Sequence, residues 1–90
     1  MSAELQSRAR TFLAKPIPKS IGYVPDSVAE RLIATYARRG ELPDDPETTE
    51  LLELTVMESR EMASSLQDQE AATFFRESAA LLEAIMDELE

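Results

Sequence analysis

Ser64-Ser65-Leu66-Gln67-Asp68-Gln69 lies in the middle of a run, Glu47 to Glu90, that contains neither glycine nor proline. Its reading decides the fold. If the run is one helix, its 44 residues span about 66 Å. If the chain breaks at this hexapeptide, two shorter helices fold back on each other. Apolar phase favours the break. Leu52, Val56, Ala63 and Leu66 lie on one stripe, with Met62 beside it, whereas Phe75, Leu82, Ile85 and Leu89 lie on another. Leu66 and Phe75 are nine positions apart. At about 100° per residue, that separation puts them on opposite sides of a continuous helix. A break lets both stripes face one core, with Ser65 or Asp68 as cap of the second helix. The pattern therefore predicts an antiparallel hairpin of about 46–66 and 68–89. One long helix that uses two faces in an extended dimer is the alternative.

Upstream, Asp45-Pro46-Glu47 reads as a helix start. It offers a carboxylate N-cap, a proline at the first helical position where no donor is needed, and an acid in the first turn. A second helix starts near Pro25 to Ser27, where Ser27 and Glu30 have capping-box spacing. Ala29, Leu32, Ile33 and Tyr36 form its apolar face. Arg38 and Arg39 suit the negative end of its dipole, and Gly40 can take the left-handed C′ position. A short first helix runs from a Ser2 cap to about Ala14, with Leu5, Ala9, Phe12 and Leu13 on one stripe. Pro16 and Pro18 end it. From Lys15 to Val24 the chain reads as an extended arm, whose Ile17, Ile21, Tyr23 and Val24 pack either on the bundle or on a partner.

The predicted class is all-α: a small three- to four-helix bundle dominated by the C-terminal hairpin, with a short N-terminal helix and a proline-containing arm. Residues 1–90 form one small helical domain on this reading, with 1–24 as helix and arm, 25–39 as the second helix and 45–89 as the acidic hairpin. Of 39 apolar residues 12 are alanine, which leaves 27 larger side chains for a core. That supply suits a thin bundle and not a two-layer α/β domain. A chain of this size gains from oligomerisation, so a second copy is one candidate partner.

Charge is divided unevenly. Residues 1–43 carry seven basic and four acidic side chains, and residues 44–90 carry two basic, Arg60 and Arg76, and fourteen acidic. The signs reverse at Leu42-Pro43-Asp44-Asp45-Pro46. Such asymmetry points to partner binding rather than to a fold. Either the halves neutralise each other inside the bundle, or the acidic half is held out for a basic partner.

The absence of cysteine and histidine removes thiolate chemistry, the commonest general base and the commonest transition-metal ligand. A di-iron carboxylate bundle needs inward Glu-x-x-His pairs, and an EF-hand needs a glycine at loop position 6 that Asp44 and Asp45, set between Pro43 and Pro46, do not have. No catalysis, cofactor or metal is expected. Seven cations spread over 43 positions, beside a strongly acidic half, make no nucleic-acid platform. No apolar run reaches the length of a membrane span, and no signal-peptide core follows the N-terminal cations, so cytoplasmic residence is the default expectation.

What remains is surface. Glu70, Glu77, Glu83, Asp87, Glu88 and Glu90 lie largely off the apolar stripe of the last helix, and Glu50, Glu53, Glu58 and Glu61 off that of the third. Lysine is absent after Lys19, so the usual interspersed Glu–Lys pairing is missing. Asp87, Glu88 and Glu90 crowd a helix C-terminus against its dipole, which calls for a compensating cation from Arg31, Arg38, Arg39 or a partner. Leu51, Leu54, Met57, Phe74, Leu81 and Met86 widen the apolar stripes beyond one face. The partner-binding candidates are Glu70, Glu77, Glu83, Asp87, Phe74 and Leu81.

The run from Leu66-Gln67-Asp68-Gln69-Glu70 through Phe75-Arg76-Glu77-Ser78-Ala79-Ala80-Leu81-Leu82-Glu83-Ala84-Ile85 loosely resembles the second helix of the small helical-hairpin co-chaperones of type III secretion needle subunits. It covers under a third of the chain. The leading expectation is a small acidic helical protein–protein interaction module, an adaptor, inhibitor or chaperone-type subunit without catalytic activity. The alternative is an acidic nucleic-acid mimic that blocks the basic channel of a nucleic-acid-binding protein, as some phage-type inhibitors do. Mimicry should collapse as salt rises, whereas an apolar interface should resist salt.

Overall fold

The structure is a computed structural model that describes residues 3–15 and 28–89. The Ser2 cap, Ser27 of the expected capping box and the arm beyond Lys15 lie outside them. Among the described residues four helices form and no strand does: α1 (Ala3–Ala14), α2 (Val28–Arg39), α3 (Pro46–Ser65) and α4 (Gln69–Leu89). The fold is an all-α bundle in which α3 and α4 make the most extensive contact. Its longest dimension is 35 Å, so no helix of about 66 Å exists.

The hairpin turns where the apolar phase changes. Ser65 ends α3 and the extended backbone of Leu66 follows, its N–H still donating to Met62 O at 3.1 Å. Asp68 starts α4, its carboxylate accepting from Ala71 N–H at 2.9 Å. This is the N-cap geometry that satisfies one of the free donors at a helix start. Leu66 leaves α3 at φ −83°, a conformation that does not call for glycine.

Asp45 caps α3 in the same way, accepting from Thr48 N–H at 2.7 Å with Pro46 behind it. That amide, with the Thr48 hydroxyl, holds the Asp45 carboxyl below the usual aspartate range. At the other end of α2, Gly40 sits at φ 75° and donates to Tyr36 O at 2.7 Å. The carbonyl of Ala37, also in the last turn of α2, accepts from Gln6 Nε2 at 2.9 Å and from Arg10 Nε at 3.2 Å. The first helix thus caps the second through its side chains.

Helix α4 is the hub. It contacts each of the other three helices, while α1 and α3 do not pack on one another. Ile33 and Tyr36 of α2, Leu52 of α3 and Leu82 and Ile85 of α4 are fully buried, and Leu42 pins the connection between α2 and α3 to the same core. Full burial of each such aliphatic side chain stabilises by about 1.5–3 kcal/mol. Phe12 of α1 stacks on Phe74 of α4 with centroids 5.2 Å apart, and Phe75 meets Phe74 edge-on at 5.6 Å.

One expected core position is corrected: Leu13, placed on the apolar stripe of α1, is 36% exposed, while Met62, set beside the stripe of α3, is 46% exposed.

Candidate protein-binding face

The six residues singled out from the sequence fall into three groups. Glu70, in the first turn of α4, and Asp87, near its end, are exposed. Glu77 and Glu83 are half-buried and already joined to cations: Glu77 to Lys15 Nζ at 2.7 Å, across 62 positions of sequence, and Glu83 to Arg60. Phe74 is half-buried against the core and Leu81 is only 3% exposed. In the folded chain Leu81 therefore presents no side chain to a partner, because α1 and α2 pack on α4 and turn this flank inward. Lys15–Glu77 also consumes part of the charge asymmetry inside the fold, tying the basic half to the acidic hairpin.

Glu88, at the C-terminal end of α4, accepts a hydrogen bond from the hydroxyl of the buried Tyr36. Where the sequence called for an arginine to offset the crowded acids, a phenol on α2 contributes. Arg31, Arg38 and Arg39 are exposed.

The surface that the sequence reading underweighted is on α3. This helix buries Leu52, Thr55, Val56, Ser59 and Ala63, so two of its five buried side chains carry hydroxyls. Thr55 Oγ1 is satisfied locally by donating to Leu51 O at 2.6 Å. Meanwhile Leu51, Leu54, Met57 and Met62 are 41%, 47%, 51% and 46% exposed. Four large apolar side chains face outward while a threonine and a serine lie among the buried residues, so α3 carries apolar side chains on both of its faces.

The spacing gives this outer face an order. Leu51, Leu54 and Met57 recur every third residue and form one i±3 ridge on the helix surface. The parallel ridge four residues earlier is Glu47, Glu50 and Glu53, and the one four residues later presents Glu58 and Glu61. All five carboxylates are exposed. An apolar ridge is thus set between two acidic ones. The same ridge is present in the sequence pattern of α3, where Leu51, Leu54 and Met57 follow one i±3 row.

The described surface also includes two open grooves. One, of about 480 Å³ between α1 and α4, is lined by Arg8, Phe12, Lys15, Glu77 and Leu81 among others. The other, of about 390 Å³, lies beside Arg60, Arg76, Glu83 and Asp87. Both mix the two charge signs. No group of three or more acidic side chains converges as a metal cage among the described residues, and none of the described helices is long and apolar enough to cross a membrane. No protein-family model matches the chain, and no curated protein or solved structure is significantly similar to it. The resemblance to secretion co-chaperones gains no support from these comparisons.

Proposed function

We propose that this protein is a non-catalytic helical interaction module, an adaptor, inhibitor or chaperone-type subunit that works by presenting α3 to another protein. The observation that carries the reading is the cluster of exposed apolar side chains on the outer face of α3. Exposed Leu51, Leu54, Met57 and Met62 contribute nothing to the core that Thr55 and Ser59 partly fill. Clustered exposed apolar side chains of this kind are the usual mark of a protein–protein contact. Methionine, adaptable in shape, suits such a contact. The same cluster weighs against nucleic-acid mimicry, whose affinity would come from carboxylates alone, and two of the acids first suggested for it, Glu77 and Glu83, are paired within the chain.

Photo-crosslinking in cells that naturally contain the protein tests this reading. A benzophenone side chain at position 54 should yield a discrete adduct with a second, different protein. The same group at position 31, on the exposed side of α2, should not. Adducts only with itself, or equal adducts from both positions, would exclude the proposal.

A further inference from the structure

The reading above leaves the chemistry of the partner open, and the order of residues on α3 narrows it. We infer that the outer face of α3 receives an amphipathic helix of a basic partner. Apolar side chains of that helix pack against the Leu51–Leu54–Met57 ridge, and its lysines or arginines, on both flanks, meet the two acidic ridges. This inference rests on the proposed interaction function and adds the occupant.

Three features of the face lead to it. First, the apolar ridge runs from Leu51 to Met57, nearly two turns or roughly 9 Å of helix axis, which a partner helix of two to four turns covers. An i±3 ridge is also the surface relief that another helix's grooves accept. Second, the acids lie on both sides of the ridge, so a partner of either orientation meets negative charge at both edges. Arg60 is the one basic residue within α3, and it is bonded to Glu83 of α4. Nothing basic on α3 is left to offset Glu47, Glu50, Glu53, Glu58 and Glu61. Third, that imbalance disfavours a second copy of this chain. Two α3 helices laid face to face would bring acidic ridges against acidic ridges, and like charges juxtaposed at an interface oppose association. A lysine- or arginine-flanked helix turns the same carboxylates into attraction and faster encounter.

The probe is an 18-residue peptide of leucine and lysine only, with leucines at i, i+3, i+4 and i+7 so that it folds as a basic amphipathic helix. Its control has the same composition with the leucines scattered. Titration calorimetry with the full chain should show the patterned peptide binding about tenfold or more tightly than the scattered one. Leu54→Ser with Met57→Ser, both at exposed positions, should weaken binding about tenfold or more while circular dichroism stays unchanged. Glu50→Lys with Glu58→Lys should weaken it similarly and reduce its salt dependence. In the wild-type chain, amide shift changes on adding peptide should centre on α3.

Equal affinity for the two peptides, no effect of the Leu54/Met57 double substitution, or shifts centred on the α1–α4 groove would overturn the inference. So would tight binding of a leucine–glutamate peptide of the same pattern. These outcomes are separable from failure of the broader reading. A crosslink from position 54 to a protein without a basic helix at the contact would retain the interaction function and remove this occupant.

Discussion

The hydroxyl of Tyr36, a side chain with no exposed surface, donates to the carboxylate of Glu88 one residue from the end of α4. One bond therefore joins the core of α2 to the terminus of the hub helix, 52 positions away in sequence. Tyr36→Phe keeps the ring and removes the donor. A hydrogen bond to a charged acceptor contributes about 1.5–3 kcal/mol, and exposure of the carboxylate places this one at the lower end, so a loss of about 1–2 kcal/mol is expected in urea unfolding. A double-mutant cycle with Glu88→Ala, which removes the acceptor, should return a coupling of similar size. Purely additive costs would show that the bond does not stabilise the fold.

Asp45 links the start of α3 to pH. Its carboxyl is held below the ordinary aspartate value by the Thr48 amide and then by the Thr48 hydroxyl. The folded form thus prefers the ionised cap. Its contribution is complete above the unfolded value of about 3.9 and is lost as pH falls through the lower folded value. Asp45→Asn should melt near the wild type at neutral pH and lose less stability on acidification. Asp45→Ala should melt lower at neutral pH and show the same shallow acid response. Thermal melts of the three proteins at pH 7 and pH 3 test this.

Gly40 holds the end of α2 at φ 75°, and a Cβ there would meet Gln6 Oε1 at 3.4 Å. Gly40→Ala places an L residue in the left-handed region, at a cost of about 1–2 kcal/mol. The added methyl would only reach ordinary van der Waals contact with Gln6, so the cost lies in the backbone. Gly40→Asn should cost less in backbone terms, since asparagine tolerates this conformation. Denaturant midpoints in the order glycine, asparagine, alanine are expected.

Substitutions on the two sides of the hairpin should separate cleanly. Leu82→Ala and Ile85→Ala remove fully buried side chains and should each cost about 2–5 kcal/mol. Leu54→Ala should change stability by no more than about 0.5 kcal/mol, because the side chain is already half in solvent. A loss at Leu54 as large as that at Leu82 would mean that the outer face of α3 is covered within the folded chain, and would remove the basis for a docking surface.

The parts of this fold that could be read from sequence are those fixed by local chemistry. Asp45-Pro46, Gly40 and, of the two caps expected at the hairpin turn, Asp68 each act on backbone groups within four residues of themselves, so residue type and spacing point to them. The phase shift between Leu66 and Phe75 was also legible, since helical geometry alone converts it into a break. Pairing over distance was not. Glu77 looked like a free surface acid until the fold brought Lys15 to it, and Leu81 looked like a flank until α1 and α2 closed over α4. Periodicity locates the centre of a buried stripe but not its width, which depends on how many neighbours a helix has. Helix α4 has three and α3 has two, so the same excess of apolar residues is absorbed on one and left outside on the other.

The three-residue connection from Leu66 to Asp68 has a consequence for the order of assembly. It lets α3 and α4 meet with almost no loop to close, whereas the contacts of α1 with α4 join residues as far apart as Lys15 and Glu77, 62 positions away. Loop-closure entropy favours the hairpin as the early structure and makes α1 the last helix to dock. Phe12→Ala should then accelerate unfolding and leave the refolding rate nearly unchanged in stopped-flow experiments. Slowed refolding would place α1 in the nucleus instead. A hairpin that forms first carries the two acidic ridges of α3 into solution before the bundle is complete, so recognition by a basic helix on α3 and the final docking of α1 on α4 involve different helices.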